Sequence, residues 1–167
     1  TQPREQNDPL MSNVIDDIRA FYGEETRTTD WFTVEQPLID KFGESTCDSD
    51  WLHTDPERAR REGPFGGTIA FGFWTISMMT HFARRAMGRD YPEGALFGLT
   101  YGFDRLRLVA PVPVGARIRN HMRLLSVEDR GGGRYLVKTE NRVEVEAADK
   151  PAMIAEWLVL LVFPEPT

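Results

Sequence analysis

Two alternating segments joined by a glycine-rich turn constrain the fold of this chain more than any other feature. In residues 116–124, Ile118 and Met122 alternate with three arginines and a histidine. A second alternating segment covers residues 134–146, and the sequence D-R-G-G-G at 129–133 lies between the two. A period of two places one face of a strand on the core and the other in water, and Asp and Gly suit hairpin turns. These segments therefore predict a long antiparallel hairpin.

Two further long strands depart from simple alternation. In residues 96–109 the apolar side chains change phase after Phe103, which predicts an irregularity near 102–105. Residues 153–163 are apolar in both phases apart from one glutamate, which predicts a central strand or a strand at a subunit contact. With a short strand at 31–34, we expect four long strands connected by antiparallel, hairpin-type links.

An apolar segment at 69–85 predicts a central helix. It is apolar on every face as far as His81, yet shorter than the roughly 20 residues that a membrane helix needs. Such a helix is buried by protein on most sides, so we expect the sheet to curl around it. Further helices are predicted at 9–22, at 36–42 and after an N-cap at Asp55. The predicted class is α+β, an antiparallel sheet around one long helix with an extra N-terminal helix.

The composition indicates one ordinary globular domain. The chain has 167 residues, of which 41% are hydrophobic and 28% charged. Its formal net charge is -6 and no basic segment is interleaved with aromatics, so we expect no nucleic-acid partner. No apolar run is long enough for a membrane span, so we expect no membrane association. Cys47, the only cysteine, excludes an intramolecular disulfide, favours a cytoplasmic location and is expected to be a small packed residue.

Asp48 and His53 are the first candidates for chemistry. They lie five residues apart around a run of small polar residues, which predicts a loop that lets both side chains reach one point. A carboxylate and an imidazole can share a water molecule near neutral pH, with one group accepting a proton while the other orients it. The spacing also fits a local cap at Asp48 and a surface histidine. From spacing alone, this structural interpretation is favoured.

A glycine-rich turn precedes the predicted central helix. Gly66, Gly67 and Thr68 lead into it, and Phe71 and Gly72 lie near its start. Free N–H groups and positive partial charge at a helix N-terminus suit an enolate or oxyanion. On composition alone, a tight turn with close packing is the favoured interpretation. No G-K-[ST] follows, which excludes a phosphate-binding P-loop.

The order of these motifs resembles a known family. The pattern D-x-x-x-x-H-x-D-P-x-x-A at 48–59, followed by G-P-F-G-G-T-I-A-x-G-F at 63–73, is similar to the MaoC-like dehydratases, also called R-specific enoyl-CoA hydratases. The segments Y-G-F-D-R-L-R at 101–107 and P-V-P-V-G at 111–115 resemble the branch of this family that is similar to nodulation protein N. The resemblance runs from about residue 31 to 163 and leaves the N-terminal helix outside.

The resemblance implies a hot-dog fold, in which a sheet wraps around one long helix. We expect this domain at 31–167, after an N-terminal extension with a helix at 1–30. The resemblance also implies a homodimer, or a higher homo-oligomer, with sheets joined edge to edge and active sites near the interface.

The implied activity is that of a lyase in fatty acid metabolism. Water adds to a trans-2-enoyl thioester of coenzyme A or an acyl carrier protein to give the (R)-3-hydroxyacyl thioester, and the reverse reaction removes it. By analogy, Asp48 and His53 activate the water, and the main-chain N–H of Gly72 stabilises the enolate. The resemblance implies no metal and no organic cofactor. The expected substrate-binding residues surround this dyad and the glycine turn: Trp51, Phe65, Gly66, Gly67 and Phe71.

Two positions differ from the family pattern. The family often has Asn-Pro between the acid and the histidine, where this chain has Asp50 and Trp51. Asp50 adds a second carboxylate that is placed to perturb His53. The family usually has histidine before the oxyanion glycine, where this chain has Phe71, and the change removes a polar group at the helix start.

Two other functions stay open on the sequence. A hot-dog thioesterase would use a carboxylate to direct water to the thioester carbonyl, although such enzymes lack the spaced Asp/His signature. A non-catalytic acyl-thioester-binding protein would retain the fold without chemistry, and the intact Asp48–His53 pair argues against it. Four arginines are candidate contacts for coenzyme A phosphates, although a solvated sheet face or dimer ion pairs are favoured: Arg105, Arg107, Arg117 and Arg119.

Overall fold

The computed structural model describes residues 9–165 and confirms the α+β class. Its elements within that range follow the order α1 (Pro9–Tyr22), β1 (Arg27–Thr28), β2 (Phe32–Thr33), α2 (Gln36–Thr46), α3 (Trp51–Thr54), α4 (Pro56–Glu62), α5 (Gly72–Met87), β3 (Phe97–Leu108), β4 (Arg117–Asp129), β5 (Arg134–Val145) and β6 (Met153–Val162). The helices predicted at 9–22 and after Asp55 are confirmed, whereas the helix predicted at 36–42 continues to Thr46.

The strands form one antiparallel sheet in the order β1-β4-β5-β6-β3, with β2 also paired to β4. β4 and β5 make the predicted hairpin, which runs from the pair Ile118–Val145 to the pair Asp129–Tyr135. The three glycines of its turn all have positive φ, a conformation that glycine adopts without steric cost. β6 lies between β5 and β3 and is the predicted central strand.

β3 is an edge strand of this sheet. Its register with β6 shifts twice between Thr100 and Arg105, which confirms the irregularity predicted near 102–105. Leu99 and Tyr101 are 53% and 65% exposed. A long edge strand with exposed apolar side chains is a ready template for pairing with another strand.

The connection from β3 to β4 crosses the sheet, so the prediction of hairpin-type links throughout is wrong at this point. Its two prolines lack the main-chain donor that a ladder requires. Segment 109–116 pairs instead with segment 68–70, where the N–H of Ala70 donates to the carbonyl of Val112 at 2.8 Å. The crossover is thereby held against the start of α5.

α5 packs one face on the sheet, where Trp74 and Phe82 are 6% and 1% exposed. On the opposite face Phe73 is 77% exposed and Ser77 is also exposed, so the prediction of burial on most sides is wrong for the single chain. The helix begins at Gly72, later than predicted, because the preceding residues pair with the crossover. Within the described range, no helix combines the length and apolarity that a membrane crossing requires.

α1 contributes directly to the core of the sheet domain. Ile18 is fully buried in a cluster with Val137, Leu161 and other side chains of β5 and β6. Burial also raises the pKa of Tyr22, at the end of α1, to about 12. The N-terminal helix therefore packs on the same sheet as the rest of the chain.

Candidate functional site

The end of α2 leads into the predicted acid. Cys47 ends the helix in the left-handed conformation, with φ of 56°, and the next N–H, that of Asp48, donates to the carbonyl of Gly43 at 2.9 Å. This is the hydrogen-bonded helix end that usually carries glycine. The side chain of Cys47 is exposed at this cap, so the expectation that it packs is wrong.

Asp50 is the N-cap of α3. Its carboxylate accepts the N–H of Leu52 at 2.8 Å, a role that Asp fills as well as Asn. Asp48 Oδ1 in turn accepts the N–H of Asp50 at 3.1 Å. The second carboxylate thus engages the main chain of α3, and in the described part of the chain neither carboxylate hydrogen-bonds the imidazole of His53.

The imidazole of His53 is held on two sides. Its Nδ1 lies 2.7 Å from the carbonyl oxygen of Ile69. Because a carbonyl oxygen only accepts, Nδ1 carries the proton of the neutral ring and Nε2 is the basic nitrogen. The ring of Phe71 packs on the imidazole with centroids 4.0 Å apart and planes at 32°. The aromatic residue at the family's histidine position therefore helps to orient His53.

A hydrogen-bond network lies behind His53 and begins at Gln36, the first residue of α2. Its Nε2 donates to the carbonyl of His53 at 2.7 Å and to Asp40 Oδ1 at 2.8 Å. The hydroxyl of Thr68 donates to Gln36 Oε1 at 2.5 Å. Neither the role of Gln36 nor that of Thr68 was predicted from the sequence, because a hydrogen bond to a main-chain carbonyl and one between side chains 32 positions apart leave no signature in a side-chain pattern.

His53 and the N-terminus of α5 line one cavity of about 260 Å³. Gly72 is the first residue of α5, so its N–H has no partner within the helix and carries positive partial charge. A Cβ at Gly72 would meet the end of the Leu108 side chain on the cavity wall, so a side chain at this position requires Leu108 to shift. Most of the remaining wall is apolar, and residues 109–112 of it belong to the crossover that follows β3.

Asp48 does not line this cavity. It borders a separate open depression of about 480 Å³, together with Asp40, Glu44 and Thr54, the neighbour of His53 in sequence. Across residues 9–165, no three His, Cys, Asp or Glu side chains converge in a geometry suited to a metal ion. The structure therefore brings His53 and Gly72 to one cavity and leaves Asp48 beside it.

The remaining predicted substrate-binding residues also lie outside the cavity wall. Trp51 packs under the guanidinium of Arg58, which is 4.5 Å from the ring centroid. Phe65 is 45% exposed, and a side chain at Gly66 or Gly67 would meet open space. Their contact with substrate stays a prediction.

Three of the four candidate arginines are paired on the solvent face of the sheet: Arg105 with Glu156, Arg117 with Glu146 and Arg119 with Glu144. The favoured sheet-face interpretation is confirmed for these three, and the pairs lie within one chain. Hydrogen bonds from Arg119 and then His121 hold the pKa of Glu144 below its usual value.

Comparison with known proteins agrees with the motif order. A family model described as a MaoC like domain matches residues 17–147. Nodulation protein N of Rhizobium leguminosarum bv. viciae is 37% identical over 147 residues, which cover 88% of this chain and 90% of that protein. The 3-hydroxyacyl-thioester dehydratase Z of Mycobacterium tuberculosis (strain ATCC 25618 / H37Rv) is 40% identical over 149 residues, which cover 89% of this chain and 95% of that protein.

The fold also matches a solved structure. A Monoamine oxidase regulatory protein from Archaeoglobus fulgius superposes with a TM-score of 0.72 at 22% sequence identity, covering 86% of this chain and 91% of that chain. The antiparallel sheet packed on α5 is the expected hot-dog fold.

Proposed function

Because the chain belongs to the MaoC-like dehydratase family, we propose that this hydro-lyase interconverts trans-2-enoyl thioesters and (R)-3-hydroxyacyl thioesters. One observation carries the proposal: His53, with its proton on Nδ1, lines the same cavity as the first residue of α5. A base and an oxyanion donor at one apolar cavity are what addition of water to a conjugated thioester requires. The activity in the name of the mycobacterial relative supports the same substrate class.

In the proposed hydration, a water oxygen attacks Cβ of the enoyl group while His53 Nε2 accepts a proton from that water. Electrons of the double bond move towards the thioester carbonyl, and the N–H of Gly72 hydrogen-bonds the developing enolate oxygen. The imidazolium then delivers a proton to Cα, which completes the 3-hydroxyacyl thioester. Dehydration follows the same steps in reverse. The proposed steps run through His53 and the main-chain N–H of Gly72, and they assign no role to a metal or an organic cofactor.

Asp48 is proposed to hold the reacting water together with His53, from its place in the depression beside the cavity. One of its carboxylate oxygens accepts the N–H of Asp50, which fixes the side chain and leaves the other oxygen for water. Its place in the motif five residues before His53 supports this role. The proton acceptor is assigned to His53 because the contact with Ile69 defines its basic nitrogen.

The substrate is proposed to bind with its enoyl group against the apolar cavity wall. Trp51, Phe65, Gly66 and Gly67 lie outside that wall and are assigned to the coenzyme A or acyl-carrier part of the thioester. Phe71, which also lies outside that wall, is assigned to holding His53 beside the acyl group, because its ring is 5% exposed and packs on the imidazole.

The active unit is proposed to be a homodimer in which two β3 strands pair edge to edge. Leu99 and Tyr101 are exposed on that edge strand, and Phe73 is exposed on the open face of α5. A second copy would cover apolar surface of this kind, which monomers rarely leave exposed in large patches. It would also explain why α5 is richer in apolar residues than its burial in one chain requires.

The proposed reaction is tested with 2-enoyl-CoA and enoyl-carrier-protein substrates of several acyl lengths. Loss of the conjugated enoyl absorbance without release of free thiol, and an (R)-configured product, are expected. Thiol release would instead identify a thioesterase. Absence of both across the substrate set would identify a non-catalytic binding protein.

A further inference from the structure

We propose that Gln36 is a positioning residue that fixes the imidazole of His53, by tying together the two main-chain segments between which the ring is held. The inference deepens the proposed function, since it rests on His53 acting as the base. It concerns a residue that touches neither the cavity nor the expected substrate.

The amide of Gln36 has one orientation that satisfies its partners. The carbonyl of His53 and the carboxylate of Asp40 both accept, so both require the NH₂ group of Gln36. The hydroxyl of Thr68 donates to the amide oxygen at 2.5 Å, and Thr68 is 6% exposed. The side chain is therefore fixed by three hydrogen bonds.

Two of these bonds lead directly to the imidazole. One holds the carbonyl of His53 itself, and the other holds Thr68, the residue before the Ile69 carbonyl that accepts the Nδ1 proton. The N–H of Ile69 also donates to the carbonyl of Leu52 at 3.2 Å. Gln36 thus adds two hydrogen bonds to this main-chain contact between the backbone that carries the ring and the backbone that accepts its proton.

The third bond provides an internal control. Asp40 lies on α2 with Gln36 and has no hydrogen bond to the segments 51–54 or 68–70 among the described residues. Removing its carboxylate leaves both links towards the imidazole in place. A loss of positioning is therefore expected from changes at Gln36 and Thr68 but not at Asp40.

The direct measurement is the tautomer of His53, observed by nitrogen NMR on protein labelled at its three histidines. The His53 signals are assigned from the His53→Gln variant. The intact protein is expected to show the neutral ring with the proton on Nδ1. Gln36→Met keeps a side chain of similar length without the hydrogen bonds, and a mixture of both tautomers is expected. Asp40→Ala is expected to retain the tautomer of the intact protein.

Kinetics of enoyl-thioester hydration give the second readout. A misplaced base lowers kcat more than it changes KM, and a fall in kcat of about 10- to 100-fold is expected for Gln36→Met. Asp40→Ala is expected to stay within about twofold of the intact protein, a change well below 1 kcal/mol in barrier. Thr68→Val removes only the hydroxyl donor and is expected to lower kcat, as Gln36→Met does. Thr68→Ser keeps the hydroxyl and is expected to retain the kcat of the intact protein.

An unchanged tautomer in Gln36→Met would overturn the proposal. If Gln36→Met does not fold, the same criterion applies to the pair Thr68→Val and Thr68→Ser, and equal tautomer populations in those two would overturn it. If the intact protein does not hydrate enoyl thioesters but the tautomer still shifts, the proposed function fails while the positioning role of Gln36 is supported.

Discussion

His53 Nδ1 and the carbonyl oxygen of Ile69 are 2.7 Å apart, although the two residues are 16 positions apart in sequence. The carbonyl belongs to a segment that the β3–β4 crossover holds in place. The basic nitrogen of His53 is therefore defined by a main-chain acceptor rather than by the carboxylate of Asp48. Through this contact, the crossover between β3 and β4 is connected to the reactive side chain of the site.

The glycine at the start of α5 is expected to be required for an open cavity. In Gly72→Ala the new methyl group would displace the side chain of Leu108, which lines the same cavity and, being 51% exposed, can shift at little cost in stability. We expect kcat/KM for enoyl-thioester hydration to fall about tenfold, as in other cases of a misplaced reactive geometry, with little change in the unfolding midpoint. Leu108→Ala in the same chain should restore much of the rate. Unchanged kinetics in Gly72→Ala would contradict the assigned close approach.

The N-terminal helix is expected to be part of the stable core. Ile18 is 0% exposed against side chains of β5 and β6, so Ile18→Ala should lower the free energy of unfolding by about 2–5 kcal/mol. Ile154, 43% exposed on β6, is the matched control, and its change to alanine should stay within about 0.5 kcal/mol. Urea unfolding measures both. Equal effects would mean that α1 does not stabilise the sheet.

The sheet was predictable from the sequence because alternation reports which face of a strand is buried. The β4–β5 hairpin and the irregularity in β3 both follow from side-chain phase. The open face of α5 was not predictable from apolar content, because Phe73 points away from the core of its own chain. The β3–β4 crossover was missed because strand patterns give no neighbour order.

The sequence could predict only those parts of the site that depend on the type and order of side chains. The resemblance assigned His53 and Gly72 to one active site, and in the structure both residues line one cavity. Ile69 contributes only its main-chain carbonyl oxygen, which every residue has. The amino-acid type at position 69 therefore could not indicate this role. Asp50 departs from the family pattern but keeps the N-cap of α3, because its carboxylate accepts the N–H of Leu52 as an asparagine oxygen would.

The free energy of unfolding at acid pH is expected to depend on Glu144. Arg119 and then His121 lower the pKa of Glu144 in the folded chain. The contribution of Glu144 to the free energy of unfolding is therefore complete above the usual pKa of 4.5, and it is lost as the pH falls through the lowered pKa. The group is partly exposed, so the effect should be about 0.2–1 kcal/mol. Urea unfolding of Glu144→Gln between neutral and acid pH should show a shallower loss of stability below pH 4.5 than the intact protein. Parallel curves for the two proteins would contradict the assignment.

Dimer formation is expected to depend on the β3 edge. Leu99→Glu combined with Tyr101→Glu places two carboxylates on the edge strand, where a second copy would bring two more opposite them. Sedimentation should show a monomer for this variant and a dimer for the intact chain. Ile154→Glu, an exposed apolar position on the central strand β6, is the control and should remain dimeric. An intact chain that sediments as a monomer would exclude the proposed pairing.

The role of His53 as the base that activates water is tested by the hydration rate of the His53→Gln variant. We predict that kcat for a 2-enoyl thioester falls by about 100-fold or more, with the unfolding midpoint unchanged, and that Asp48→Asn also loses most of the activity. His121→Gln, a change on the outer sheet face, should retain the full rate. A His53→Gln enzyme that hydrates the substrate at the rate of the intact protein would show that His53 is not the base.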